Sequence, residues 1–389
     1  MVMLWGGSLA SPAIRGEIVV FQDPDKGRTK ALVQIIHETP TGDLLVESQD
    51  GRQKLLLSRQ IVSREKSAEP FQPFTRDELS AALLDEYPSG FAIHETKNYL
   101  ILHSTSEAFA KDAGKLLEKL KSVFENYMRQ QAGMQPVEPG QPMIAVIFGT
   151  QPEYVRQMER TLGPAARQTA GVYVPQDNRL YLFDMLGGRD ARWFGRASAA
   201  SSKSADEIAL LLATDTISTI IHEGVHQVAF NTGFHDRYVR QPLWLVEGLA
   251  TLLEVPDLDA KNRWAGVGQI NWDRAEELKR DWSRVGPDSL QDLVAEDNAL
   301  RIAGSSNEAY AQAWGLSYYL TKARKSEYRD FVARVNRRER WAEYSPEDRL
   351  KDFEASFGQS PARMAPEFRR FIEKSVFRRS RPVRSGGAP

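Results

Sequence analysis

Ile220-Ile221-His222-Glu223-Gly224-Val225-His226-Gln227-Val228 is the stretch around which the rest of the chain organises. Apolar Ile208, Leu211, Leu212, Ile217, Ile220, Ile221, Val225 and Val228 recur at helical spacing. They predict a helix that starts near 205, behind a Ser204/Glu207 capping box, and stops at Asn231-Thr232-Gly233. Four residues advance a helix by about 400°, so His222 and His226 share one face, one turn apart. That spacing lets both imidazoles reach a single tetrahedral Zn²⁺. Glu223 projects to the side of that face, placed to take a proton from a water that such an ion activates. Three ionisable groups left unpaired among apolar neighbours would be costly, and a metal removes the cost.

A third ligand is expected just downstream. Residues 242–254 read PLWLVEGLATLLE, a helix begun by Pro242 and ended by Pro256. Glu247 lies among Leu243, Trp244, Leu245, Val246 and Leu249, a poor setting for an unpaired carboxylate but a good one for a ligand. It completes a His₂Glu site with an open position for water, holding one Zn²⁺ per chain. A histidine ligand at HExxHxxGxxH spacing would need glycine at 229 and histidine at 232, where the chain has Ala229 and Thr232. His235 lies three residues too far on. Glu254 is the rival: it shares a helical face with Glu247 but lies about 10 Å along the axis. Glu247, followed by Gly248, has the better steric access.

Further out, composition sets the limits. The 389 residues carry 51 Lys plus Arg against 52 Asp plus Glu, so no global field points to nucleic acid or an anionic membrane. Cysteine is absent, which excludes disulfides, Cys-ligated zinc and thiol nucleophiles. No apolar run reaches the ~20 residues of a membrane span. The first residues, MVMLWGGSLASPA, are apolar and end in small residues like an export signal, yet lack a basic start. A frayed terminus is the competing reading, and an extracytoplasmic location is favoured over a cytoplasmic one.

The expected fold class is α+β. Residues 14–66 contain four β-rich runs (GEIVVF, ALVQIIHE, DLLVES, QKLLLS) separated by turn residues, which suggests a small all-β, SH3-like domain. A Pro-rich linker follows at 67–75. Residues 76–377 form the second domain: a short helix near 76–86, a small mixed sheet, and a mostly helical half beyond about 204. In it, MIAVIFG at 143–149 suits a central strand, and GVYVPQDNRLYLFD at 171–184 a hairpin. The charged run at 106–131 reads as a solvated helix face. A disordered basic tail is expected at 378–389. His94, His103 and Asp184 are read as structural residues.

HEGVH followed after 20 residues by the Glu of WLVEGLA resembles the gluzincins of the peptidase MA clan, in particular the membrane alanyl aminopeptidase family and the minigluzincins. In these the third ligand lies in a W-L-x-E-G-x-A helix. The layout also resembles an uncharacterised bacterial HExxH domain family. Tyr310, in NEAYAQAWGLSYYL, is similar to the tyrosine of the aminopeptidase Y-x-K-G-x-x-x-L segment, which the resemblance implies as oxyanion donor. Trp314 and Ser317 share its helical face and are expected to line a cleft with it, with Tyr319 on the opposite face.

Departures from the family are Val246 in place of Asn, and Gln312 and Ala313 in place of Lys and Gly. The G-x-M-E-N segment that captures substrate amines is absent. The implied activity is a zinc metallopeptidase acting on extended peptide or protein chains laid along the hairpin, with cleavage inside the chain. Two alternatives stand beside it: a non-catalytic zinc-stabilised scaffold, and a gluzincin-type hydrolase of an ester or epoxide.

Overall fold

The computed structural model describes residues 15–24, 26–186, 203–255, 268–301 and 306–379. They form two compact units, one running up to Glu86 and including 176–178, the other holding 87–175 and the chain from Arg179 onward. The proposed export-like segment and all of the basic tail except Arg378 and Arg379 lie outside the described residues.

The first unit is an antiparallel sheet of β1 (Arg15–Asp23), β2 (Gly27–Glu38), β3 (Leu44–Ser48), β4 (Gln53–Leu56) and β5 (Ile61–Pro70), in the order β4-β3-β2-β1-β5. The turn-forming segments read from sequence separate the first four strands. Alternating Val19, Phe21, Val33, Leu44, Val46 and Leu56 close a small core on one side. Pairing of β1 with β5 slips between Arg15 and Glu17 and again between Val20 and Phe21, irregularities that bend a strand. β5 continues to Pro70, so the first residues of the expected linker are strand. Helix α1 (Arg76–Glu86) belongs to this unit and not, as the sequence suggests, to the start of the second.

The second unit is built on a mixed sheet, in the order β6 (Ala92–Glu95), β7 (Tyr99–His103), β8 (Met143–Phe148), β10 (Arg179–Phe183) and β9 (Gly171–Val174). β7, β8 and β10 are parallel, and the edge strands β6 and β9 are antiparallel to their neighbours. Parallel neighbours need crossovers, supplied by α2 (Glu107–Tyr127) and α3 (Gln151–Leu162). Burial on both faces explains the unbroken apolar runs of β7 and β8. Two charges of α2 depart from the solvated face expected of it. Lys121 and Glu125 are buried and paired with each other.

The rest of the unit is helical, as expected: α4 (Lys203–Asn231), α5 (Leu243–Leu253), α6 (Trp272–Arg280), α7 (Pro287–Ala295), α8 (Asn298–Arg301), α9 (Ser306–Ala323), α10 (Lys325–Asn336), α11 (Pro346–Phe357) and α12 (Pro361–Ile372). Asn271, Ser345 and Ser360 start α6, α11 and α12 by accepting the backbone N–H three residues on. Among the described residues no helix is long and apolar enough to cross a membrane.

Candidate metal centre

α4 carries His222, Glu223 and His226 through the middle of the core, with Ile220, Ile221, Val225 and Val228 fully buried around them. The helix stops where the sequence indicated. Gly233 takes φ +82°, and the His235 N–H closes back onto the Ala229 carbonyl at 3.0 Å. α5 is entered through Pro242, and its first N–H, on Leu243, is capped by Asp297 at 2.9 Å. Asp297 is itself gripped by both ends of the Arg349 guanidinium, at 2.7 and 3.0 Å.

These two helices bring the expected ligands together. Oε2 of Glu247 lies 3.1 Å from Nε2 of His222 and 3.4 Å from Nε2 of His226. The two imidazoles stand edge to face at 87°. Among the described residues this is the group of three side chains whose donor atoms, all within 4.8 Å of one another, could hold a metal ion. A tetrahedral ion with bonds of about 2.0–2.1 Å has ligand atoms about 3.3 Å apart, so the two separations fit such an ion.

Glu254 is not a third ligand here. It lies on the other nitrogen of His222, with Oε2 2.6 Å from Nδ1. Its remaining oxygen accepts from Asn271 Nδ2 at 2.9 Å and from Arg274 Nε at 3.4 Å. A residue two helical turns beyond Glu247 is thus placed to orient the His222 imidazole. His235 is not part of the group either. It is buried between Phe230 and Phe234, and burial pushes its pKa down to about 3.

The electrostatics favour positive charge between the carboxylates. Burial opposes the charged form of His222, but hydrogen bonds to Glu247 and Glu254 outweigh it and hold its pKa well above the ordinary value. Burial also opposes ionisation of Glu247 and Glu254, and the facing imidazoles overcome it, so both carboxyls stay ionised below the usual range.

Glu223 is not one of the three donors. Its Oε2 accepts the Tyr173 N–H from edge strand β9 at 2.7 Å. Tyr310 enters from α9, its ring 6.4 Å from that of His222. Burial, then the charges of Glu247 and Glu223, push its hydroxyl far above the ordinary tyrosine pKa, so it remains a donor at neutral pH. His222, Glu223 and Tyr310 line a cavity of about 590 Å³ together with Gly171, Asp215 and Arg274.

Two expectations about this region change. Trp314 and Ser317 do not line the cleft with Tyr310; both are fully buried in the core. The reason lies at Gly248, where a Cβ would stand 2.1 Å from Ser317 Oγ and 2.7 Å from the Ala313 carbonyl oxygen. The glycine after Glu247 therefore serves the packing of α5 on α9, not access to the metal. The remaining candidates are structural, as read. Glu107 bridges His94 and His103 at 2.7 and 3.2 Å, and Asp184 caps Leu186 N and accepts from Thr105. Asn271, Arg274 and the Tyr173 N–H carry no local sequence signal, because only the packing of α6 and β9 against the site selects them.

The sequence pattern of a family described as "Protein of unknown function (DUF1570)" matches residues 216–341. That segment contains His222, Glu223, His226, Glu247, Glu254, Arg274 and Tyr310. No curated protein matches the chain.

Proposed function

We propose that the protein is a zinc-dependent hydrolase that cleaves peptide bonds, with His222, His226 and Glu247 holding the ion and Glu223 as general base. The observation that carries this reading is the convergence of two Nε2 atoms and one carboxylate oxygen beside an open cavity, with a second carboxylate next to them but outside the group. Two imidazoles and one carboxylate suit zinc, whereas calcium and magnesium favour all-oxygen shells. A purely structural zinc site closes four protein ligands. Three donors, with His222 lining the adjoining cleft, suit catalysis better.

When bound, zinc supplies Lewis acidity, which polarises a carbonyl and brings the pKa of a water to about 7. The protein's own groups do the rest. The Tyr173 N–H holds one oxygen of Glu223, leaving the other to take the proton of the attacking water. Glu223 then passes that proton to the leaving amine as the C–N bond breaks. Tyr310 donates its hydroxyl proton in a hydrogen bond to the carbonyl oxygen as negative charge develops there.

Substrate reaches the cleft along β9. With the Tyr173 N–H directed at Glu223, the alternation of an antiparallel ladder turns Gly171 and Tyr173 away from β10. The Gly171 N–H and carbonyl then pair with an extended chain, which gives main-chain affinity with little sequence preference. Cleavage is inside chains. The test is digestion of an unfolded protein by the zinc-loaded enzyme, read by mass spectrometry. Internal fragments that vanish with chelator and return with zinc are expected, and stepwise N-terminal trimming contradicts the reading.

A further inference from the structure

We infer that Arg274 is a positioning residue whose single guanidinium ties Tyr310 to the brace behind His222, so that the carbonyl-binding hydroxyl and the metal ligand are set by one group. The inference rests on the proposed roles of His222 and Tyr310.

The contacts form a closed circuit. Arg274 Nε approaches Glu254 Oε1 at 3.4 Å, and the other oxygen of Glu254 lies 2.6 Å from His222 Nδ1. Nη1 of Arg274 bonds Glu277 at 3.0 Å, which holds the guanidinium from its own helix. The guanidinium carbon lies 5.4 Å from the centroid of the Tyr310 ring, and that ring lies 6.4 Å from the His222 ring.

The helices are placed to keep this circuit short. One turn beyond Arg274, Leu278 presses on Gly315 of α9, where an added Cβ would stand only 2.8 Å from Leu278 Cδ2. That close approach fixes the spacing of α6 and α9 next to the Arg274–Tyr310 contact. A different role, capture of a substrate anion by Arg274, is opposed by its surroundings. Asp215, Glu223, Glu254 and Asp273 line the same cavity, and an anion would face all four.

A planar, multi-donor cation is needed for both contacts at once. Lysine has the charge to face Glu254 but no flat surface to lie on the ring. The two arms therefore separate in variants, and both can be read without any substrate. The full chain is labelled with 3-fluorotyrosine, and the Tyr310 resonance is assigned among the 12 tyrosines by its loss in Tyr310→Phe. Zn²⁺ affinity is measured by competition with a chromophoric chelator.

Arg274→Met should weaken Zn²⁺ binding by about 10-fold, the lower end of what loss of an outer-shell partner costs, and should shift the Tyr310 resonance. Arg274→Lys should weaken Zn²⁺ binding less than about 3-fold but shift that resonance as far as methionine does. Arg338→Met, which removes a distant stack on Tyr344 with a 4.0 Å spacing, should move neither. A folded Arg274→Met that leaves both readouts unchanged overturns the inference. So does a Tyr310 resonance that moves no further in Arg274→Lys than in Arg338→Met. If methionine prevents folding, the lysine variant decides. If the wild-type protein binds no Zn²⁺, the function reading and the metal arm fail together, while the resonance still decides whether Arg274 places Tyr310.

Discussion

His222 Nδ1 and Glu254 Oε2 lie 2.6 Å apart, on the side of the imidazole opposite Glu247. With an ion held at Nε2, as proposed, the remaining ring proton would sit on Nδ1 and donate to Glu254. Two glutamates seven residues apart, about two helical turns, thus meet opposite nitrogens of one ring. In the proposed holoenzyme the nearer would share the ion and the further would set the tautomer.

Their substitutions should separate accordingly. Glu247→Ala should lose bound zinc on dialysis, read by elemental analysis. Glu254→Gln should keep about one zinc per chain at saturation but bind it about 10–100-fold more weakly. Zinc retained in Glu247→Ala and lost in Glu254→Gln would exchange their roles.

Tyr310 and Tyr319 provide a matched pair on one helix. Tyr310 faces the cleft, whereas Tyr319 is buried against Phe368 and Phe371. Tyr310→Phe should lower kcat by about 10²-fold or more with little change in KM or zinc content, because an oxyanion donor acts in the transition state. Tyr319→Phe should leave turnover near wild type. Unchanged kcat in Tyr310→Phe would assign the donor elsewhere.

Gly248→Ala tests the packing of α5 on α9. The added methyl meets Ser317 Oγ, which can rotate away, and the Ala313 carbonyl, which cannot. A loss of about 1–3 kcal/mol is expected, measured by denaturant unfolding. A neutral result would mean that α5 can move off α9 at no cost.

His235 makes the fold acid-sensitive. Its folded pKa is about 3, against an ordinary value near 6.5. Below about pH 6.5 the unfolded chain binds a proton there that the folded chain does not. Its contribution is therefore intact above that pH and is lost as pH falls toward 3, by up to about 1.4 kcal/mol per pH unit. In His235→Phe the Tm difference from wild type should move in the variant's favour as pH falls from 7 to 4. A difference that stays constant with pH contradicts this account of His235.

How much of the site was legible follows from the range of each signal. His222, Glu223 and His226 are one helical turn, and a four-residue spacing places them without reference to the rest of the fold. Glu247 needed a second helix, and was legible because a carboxylate amid Trp244, Leu245 and Leu249 demands a partner. The same reasoning left Glu254 open. Helical geometry put it on the right face, but only α6, arriving with Asn271 and Arg274, shows which imidazole nitrogen it meets. Trp314 and Ser317 escape a helical wheel, which carries no information on α5 lying against that face. The layout of the fold was clearer than its joints. The strand runs and the helical half stand as read, while α1 falls with the first sheet because no local residue pattern encodes which core a short helix joins.

The most direct test sets zinc-loaded wild type beside zinc-loaded Glu223→Gln on one diverse peptide mixture, analysed by mass spectrometry at equal zinc content and equal Tm. Glu223 accepts the Tyr173 N–H and is not one of the three candidate donors, so glutamine should preserve the ion and the fold while removing the proton acceptor. The account predicts internal cleavage by wild type and a loss of about 10³-fold or more in the variant, beyond the 10²–10⁴-fold worth of general base catalysis at its lower end. Equal digestion by both proteins, or no cleavage by either, would contradict it.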